Sequence, residues 1–182
     1  MRAFLALVPD AAALEVLRAY QQQLVQTPWA HQVKWVSANH WHLTVRFLGE
    51  ITNAQRLQFA RMLSAALREQ SVPPIHAQFS QPQFFPSPRQ PRVIACLVQA
   101  TPALQQLAAL AERLAQRIGL PPERKPFNGH ITLGRTREAF PGAVKLPFEE
   151  SYAPFVANSV VLFKSELTPS GPIYTTLDVF PL

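Results

Sequence analysis

The sequence predicts an α+β fold of about three helices and seven or more strands, built from two related halves. The helical and strand patterns do not alternate strictly, as a doubly wound parallel sheet would require. A His-x-Thr segment at His42 recurs at His130, about half the chain further on. With 48% hydrophobic and 15% charged residues, the composition is that of a globular protein.

The length of 182 residues fits one domain, 1–182, whose two lobes share a core, because single cores usually form at roughly 100 to 200 residues. One lobe would carry the motif at 42–45 and the other the motif at 130–133. The formal charge of +6 favours anionic partners such as phosphate, although charge alone does not identify a partner. Cys96 is the single cysteine and lies in an apolar run. We therefore expect a buried thiol, no intrachain disulfide and a cytoplasmic protein.

The N-terminal segment predicts a strand and a helix rather than a secretory signal. The apolar run at residues 2–8 is ended by Pro9 and Asp10, which makes it shorter than a signal core. Asp10 is the expected N-cap of the first helix. The apolar stripe of that helix contains Leu14, Leu17 and Leu24. No stretch of the sequence is long enough to span a membrane.

Two more helices and the remaining strands follow from capping residues and short apolar runs. Thr52-Asn53 can cap a second helix that ends before Pro73-Pro74. Thr101-Pro102 starts a third helix, which Gly119 ends. Further strands are expected at residues 32–36, 42–47, 76–79, 92–99, 130–133, 155–167 and 173–180. The four prolines of segment 81–91 predict an irregular loop or a pair of broken edge strands, and 169–172 predicts a turn.

The paired motifs predict one shared site. On a strand, side chains alternate between faces, so His42 and Thr44 point the same way, and so do His130 and Thr132. Two such strands related by a pseudo-twofold would place two imidazoles and two hydroxyls around one central cavity. Such a cavity would suit a phosphate.

Two histidines in one cavity can serve as the acid and the base of a displacement at phosphorus. Imidazole titrates near pH ~6.5, so one ring can be neutral while the other is protonated. The threonine hydroxyls can donate to non-bridging oxygens, and an arginine can balance the negative charge. Arg46 lies four residues after His42 and therefore on the same face of a regular strand. Arg135 lies five after His130 and would face away unless Gly134 introduces a bulge, so periodicity favours Arg46.

These residues resemble the two-histidine (2H) phosphoesterase superfamily, and specifically its bacterial RNA 2′,3′-cyclic phosphodiesterase branch, also called 2′-5′ RNA ligase. Residues 42–49, HLTVRFLG, are similar to the first family signature and residues 127–135, FNGHITLGR, to the second. Segments 2–6, 162–167 and 171–174 also resemble family segments. The resemblance covers most of the chain. One departure is Gly129, where the family usually has proline before the second histidine.

The resemblance implies two lobes whose antiparallel sheets line a central cleft, helices outside, and no metal or nucleotide cofactor. It implies that His42 donates a proton to the leaving 3′ oxygen and that His130 activates water, leaving a 2′-phosphate. Thr44 and Thr132 would contact the phosphate, and Arg135, rather than Arg46, would be the main phosphate-binding arginine. The expected partner is RNA with a 2′,3′-cyclic phosphate end or a small cyclic nucleotide, with no membrane and no obligate protein partner. Since an enzyme catalyses both directions, 2′-5′ ligation would be the reverse reaction.

Two other functions remain open from the sequence. One is a non-catalytic module that binds RNA ends in the same cleft. The other is a zinc hydrolase, because His40 and His42 share a strand face and could join His130 in a three-histidine site. His31 and His76 have no partner motif and are expected to be ordinary surface or edge residues.

Overall fold

Apolar and alternating runs form nine strands in the part of the chain that the structure, a computed structural model, describes, namely residues 1–137, 140, 144–169 and 171–182. In chain order the strands are β1 (Arg2–Leu7), β2 (Val33–Trp35), β3 (Leu43–Glu50), β4 (Ile75–Phe85), β5 (Val93–Val98), β6 (His130–Thr136), β7 (Tyr152–Ala157), β8 (Ser159–Thr168) and β9 (Gly171–Pro181). Three α-helices accompany them: α1 (Ala11–Leu24), α2 (Asn53–Glu69) and α3 (Pro102–Arg117).

Each α-helix begins at a capping residue that the sequence predicts. The Asp10 side chain accepts a hydrogen bond from the Ala13 amide at 3.3 Å and begins α1. Thr52 and Gln55 form a reciprocal capping box at the start of α2, which satisfies two amides that the helix leaves unpaired. Thr101 caps α3 in the same way as Asp10 caps α1. The three predicted helices are confirmed.

The strands form an antiparallel sheet in the order β7-β4-β5-β6-β3-β1-β8-β9, with β2 paired to β6. The first four strands of this order lie on one side of the junction between β6 and β3, and the last four on the other. At that junction the two motif strands share one pair, Leu43 with Ile131. The α+β prediction is therefore confirmed, and the two halves of the sheet meet between the two motifs.

Alternation along β1 separates the hydrophobic core from the opposite face of the sheet. Leu5 and Leu7 are fully buried in the core, whereas Phe4, on the other face of the pleat, lines a cleft. The largest fully buried side chains include those of Phe59 and Phe155. Each such side chain contributes about 1.5 to 3 kcal/mol through removal from water. Cys96 is also fully buried, as expected.

The first half of segment 81–91 follows the edge-strand alternative. β4 continues through Phe85, and beyond Ser80 its only strand partner in the described chain is β5, after a register shift between Phe79 and Pro82. An edge strand accommodates proline because one side of its backbone needs no ladder partner. The sequence prediction was wrong further along the chain. The single strand expected at 155–167 is two strands, β7 and β8. Ser170, in the predicted turn at 169–172, lies outside the described residues.

Within the described part of the chain, no helix has both the length and the apolar character needed to cross a membrane.

Candidate active site

The motif side chains meet in one cleft because the strands pair through the residues between them. Leu43 and Ile131 are paired and fully buried in the core. The residues that flank them, His42, Thr44, His130 and Thr132, project to the opposite face and line a cleft of about 660 Å³. The structure thus brings together the four side chains that the sequence predicted would share a cavity.

The two histidines are held in the same way. His42 Nδ1 lies 2.6 Å from the carbonyl oxygen of His40, and His130 Nδ1 lies 2.9 Å from that of Asn128. A carbonyl can only accept, so in each ring Nδ1–H is the donor. Each neutral ring therefore has Nε2 unprotonated and able to accept a proton. The backbone two residues before each histidine sets both its orientation and its tautomer.

A bulge in β6 turns Arg135 into the cleft. β5 pairs with Thr132 and then with Gly134, skipping Leu133. The extra residue reverses the alternation, and Arg135 lines the cleft. This is the bulge that would reconcile Arg135 with the strand period. Gly134 is needed here because a Cβ atom at that position would lie 2.4 Å from Val33 Cγ1.

A matching bulge in β3 turns Arg46 away from the cleft, so the prediction from periodicity was wrong. β1 pairs with Thr44 and then with Arg46, skipping Val45. Arg46 is only 9% exposed and forms ion pairs with Glu112 at 2.6 Å and Glu123 at 3.2 Å. Its guanidinium is therefore occupied by carboxylates and does not reach a phosphate in the cleft.

Burial and neighbouring charges depress the basicity of His42. Its ring packs against Phe4 at 4.9 Å and Tyr174 at 5.4 Å between centroids. Burial lowers the pKa of His42 from 6.5 to about 4, and the positive charges of Arg135, His130 and His40 act in the same direction. The hydrogen bond to the His40 carbonyl opposes this shift but does not cancel it. In the cleft without substrate, His42 is thus neutral at neutral pH.

His130 has a different environment, since its ring stacks on Phe85 with centroids 4.8 Å apart and an interplanar angle of 24°. Tyr174, on the His42 side, has its pKa raised by burial, against the opposing effect of Arg135 and Arg2. The two halves of the cleft therefore have similar backbone geometry but different aromatic neighbours.

Sequence reasoning missed part of the cleft wall. Phe47 lies five residues after His42, as Arg135 lies five after His130, and both face the cleft beyond their bulges. Aligning the two motifs would have shown this equivalence. Arg2, Lys34 and Tyr174 also line the cleft, and none of them belongs to a His-x-Thr motif. The likeness of segments 2–6 and 171–174 to family segments could have marked Arg2 and Tyr174, whereas Lys34, eight residues before His42, has no such signal.

The cleft favours an anion. Arg2, Lys34 and Arg135 supply positive charge, and the described residues that line the cleft include no carboxylate. Among the described residues, no three His, Cys, Asp or Glu side chains are arranged to hold a metal ion. The zinc alternative with His40, His42 and His130 therefore has no ligand cluster.

An α+β fold whose antiparallel sheet brings two His-x-Thr segments to one basic cleft is an architecture suited to a phosphoesterase. A family model described as LigT like Phosphoesterase matches residues 8–95 and 98–174. The chain belongs to the LigT-like phosphoesterase family.

Relatives and solved structures match over nearly the full chain. An RNA 2′,3′-cyclic phosphodiesterase of Archaeoglobus fulgidus is 30% identical over 183 residues, covering 99% of each chain. One of Bacillus subtilis, with the same name, is 26% identical and covers 96% of this chain and 92% of its own. A crystal structure of a Thermus thermophilus protein superposes with a TM-score of 0.82 at 26% identity, covering 100% of this chain and 98% of that one. E. coli LigT in apo form has the same fold, with a TM-score of 0.77 at 20% identity, covering 99% and 96% of the two chains.

Proposed function

We propose that this protein hydrolyses RNA 2′,3′-cyclic phosphate ends to 2′-phosphomonoesters by metal-independent acid-base catalysis. The observation that carries the proposal is the pair of histidines, each with Nδ1 held by a backbone carbonyl, on one anion-favouring cleft. The names of relatives that match over nearly the whole chain support the RNA 2′,3′-cyclic phosphodiester as substrate.

In the proposed reaction, His130 Nε2 accepts a proton from water as the water oxygen attacks phosphorus. The bond from phosphorus to the 3′ oxygen breaks, and His42 Nε2–H donates a proton to that oxygen. The bond to the 2′ oxygen remains, which leaves a 2′-phosphate and a 3′-hydroxyl. Each of the two proton transfers contributes on the order of 10²- to 10⁴-fold to the rate.

Thr44, Thr132 and Arg135 bind the phosphate in this proposal. Hydroxyl and guanidinium groups donate hydrogen bonds to the non-bridging oxygens, where negative charge increases in the transition state. The guanidinium can bind two oxygens at once. Because Arg135 is not among the residues that form ion pairs with carboxylates in the described chain, its charge is available to the substrate.

The proton-donor role of His42 depends on the substrate. Without substrate its pKa of about 4 leaves the ring neutral at neutral pH. A phosphodiester carries a negative charge, which favours the protonated ring and raises its pKa. Substrate binding would thus favour the protonated His42 ring in the complex in which that ring donates its proton. Ligation of a 2′,3′-cyclic end to a 5′-hydroxyl would use the same groups in the same roles. The 5′ oxygen would replace water in attacking phosphorus, His130 would accept its proton, and His42 would protonate the leaving 3′ oxygen, which leaves a 2′-5′ linkage.

The test is turnover of an oligonucleotide that ends in a 2′,3′-cyclic phosphate, by protein freed of metal and assayed in EDTA. The proposal expects conversion to a 2′-phosphate end, identified by its resistance to a 3′-specific phosphatase. Binding without turnover would instead favour a non-catalytic RNA-end module. Turnover that EDTA abolishes and added metal restores would overturn the metal-independent mechanism.

A further inference from the structure

A second pocket, of about 420 Å³, lies where β5 begins and β6 ends. It is lined by Arg89, Gln90, Pro91, Arg92, Thr136, Arg137 and Phe140. It adjoins the active-site cleft, because Val93 and Arg135 line the cleft and are the chain neighbours of Arg92 and Thr136. The Cα atoms of Arg135 and Arg137 can be at most about 7 Å apart. The two pockets therefore lie next to each other, where β5 begins and β6 ends. We call the second one the arginine pocket.

The arginine pocket carries positive charge that the described protein does not neutralise. Arg89, Arg92 and Arg137 are all exposed, and none of the three forms an ion pair with a described carboxylate. Arg46 and Arg56, by contrast, are each paired with acidic side chains. Like charges held together repel one another, so an anionic ligand lowers the energy of such a cluster. Guanidinium groups match phosphate oxygens in geometry as well as in charge.

Backbone hydrogen bonds hold two of these arginines at the end of the sheet. The Arg92 amide donates to the Phe85 carbonyl at 2.9 Å, and the Arg92 carbonyl accepts from the Thr136 amide at 3.1 Å. The Arg137 amide donates to the Gln32 carbonyl at 2.9 Å. The Phe85 ring also stacks on the His130 ring. Phe85 therefore contacts both His130, through its ring, and Arg92, through its backbone carbonyl.

We propose that the arginine pocket binds the phosphodiester backbone of the nucleotides that precede the cyclic phosphate, so that the preferred substrate class is an RNA chain rather than a mononucleotide. This inference rests on the proposed function. A cyclic phosphate occupies the 3′ end, so the rest of an RNA chain must leave the cleft. At the arginine pocket it meets three guanidinium groups and the ring of Phe140. Basic grooves with aromatic side chains are the usual means of binding single strands.

The test compares two substrates and two double variants. Arg92→Ala with Arg137→Ala should raise KM for a six-nucleotide RNA ending in a 2′,3′-cyclic phosphate by roughly tenfold, with little change in kcat. The same variant should hydrolyse 2′,3′-cyclic AMP as the wild type does, because a mononucleotide does not reach the arginine pocket. The matched control is Arg68→Ala with Arg113→Ala, which removes two exposed arginines from α2 and α3. This control variant should leave KM and kcat unchanged for both substrates.

The salt dependence provides a second measurement. Each phosphate contact contributes about −0.7 to the slope of log affinity against log salt concentration for a single strand. The double variant should therefore have a shallower slope by about 1 to 1.5 for the six-nucleotide RNA. Equal losses on the RNA and on 2′,3′-cyclic AMP, or no loss on either, would overturn the inference.

If wild-type protein turned over neither substrate, the proposed function would fail separately. Fluorescence anisotropy with the same labelled RNA would then decide the inference. Weaker binding and a shallower salt slope in the double variant would support the arginine pocket, and unchanged binding would overturn it.

Discussion

Arg46 Nε lies 2.6 Å from Glu112 Oε2, and this ion pair connects the strand of the first motif to the helix that precedes the second. Arg46 Nη2 also donates to the Pro121 carbonyl at 2.8 Å, and Nη1 lies 3.2 Å from Glu123 Oε2. The pKa of Glu112 is lowered, since hydrogen bonds and the Arg46 charge outweigh its desolvation. β3 and β6 pair directly only at Leu43 and Ile131 in the described chain. The Arg46 ion pairs therefore connect β3 to α3 and to the segment that leads into β6.

Replacing Arg46 should destabilise the protein. Arg46→Met removes a buried guanidinium that contacts Glu112, Glu123 and the Pro121 carbonyl, and the expected loss is about 2 kcal/mol in the free energy of unfolding. Because the folded state holds the pKa of Glu112 below 4.5, the contribution of the pair is present above pH 4.5 and is lost as the pH falls below that value. Urea denaturation at pH ~7 and at pH ~4, on either side of the ordinary carboxyl pKa, measures both effects.

The matched control is Arg56→Met, which breaks the more exposed Arg56–Asp178 ion pair between α2 and β9. Its expected cost is about 1 kcal/mol. If Arg46→Met cost no more than Arg56→Met, the stabilising role assigned to the Arg46 ion pairs would be wrong.

The proposed reaction requires both cleft histidines. His42→Ala and His130→Ala remove the proposed proton donor and the proposed base, and each should lower kcat on 2′,3′-cyclic AMP by on the order of 10²- to 10⁴-fold. His31→Ala and His76→Ala are matched controls, because both rings are exposed and neither lines the cleft. Circular dichroism should show a folded protein in all four. Near-wild-type turnover by either cleft variant would contradict the paired acid-base assignment.

The titration of His42 should depend on what occupies the cleft. In ligand-free protein, NMR should show its ring titrating with a pKa of about 4, since burial and the nearby positive charges disfavour the imidazolium. Inorganic phosphate should raise this pKa, because an anion beside the ring favours its charged form. A midpoint near the ordinary value of 6.5 in both states would show that the ring is not buried as described.

The same shift has a consequence for stability. An unfolded histidine binds a proton below about pH 6.5, whereas folded His42 does not until about pH 4. The contribution of neutral His42 is therefore fully present above pH 6.5 and decreases as the pH falls from 6.5 towards 4. His42→Gln should reduce this part of the pH dependence of the free energy of unfolding, and an unchanged pH dependence would contradict the assignment.

Arg135 and Arg46 should respond differently to substitution. Arg135→Met should lower kcat/KM on 2′,3′-cyclic AMP by roughly 10²-fold, because the proposed reaction uses its charge to bind the phosphate. The free energy of unfolding should stay within about 0.5 kcal/mol of the wild type, because the side chain is exposed and forms no ion pair with a described carboxylate. Arg135→Lys should recover part of the activity, since it restores charge but not the two-pronged geometry. An Arg135→Met variant with full activity would remove this residue from the proposed phosphate site.

Features decided by local contacts could be predicted from the sequence. Asp10 and Thr52 begin helices because a capping side chain bonds to an amide only three residues away. The shared face of His42 and Thr44 follows from strand alternation over two residues. The resemblance of the two motifs to one family also predicted the substrate class, RNA 2′,3′-cyclic phosphate ends, which the names of relatives support.

The tertiary structure decided which arginine enters the cleft. Periodicity favoured Arg46, but the bulges at Val45 and Leu133 reverse the alternation, so Phe47 and Arg135 face the cleft instead. A bulge is a relation between two paired strands, and β1 and β5, which create these, are distant from β3 and β6 in the chain. Tyr174 and Lys34 also reach the cleft through strand pairing, of β9 with β8 and of β2 with β6. The sequence by itself determined where the helices begin and that the histidine and threonine of each motif share a face. The side chains that follow each bulge are oriented by strand register, which depends on pairing with segments distant in the chain.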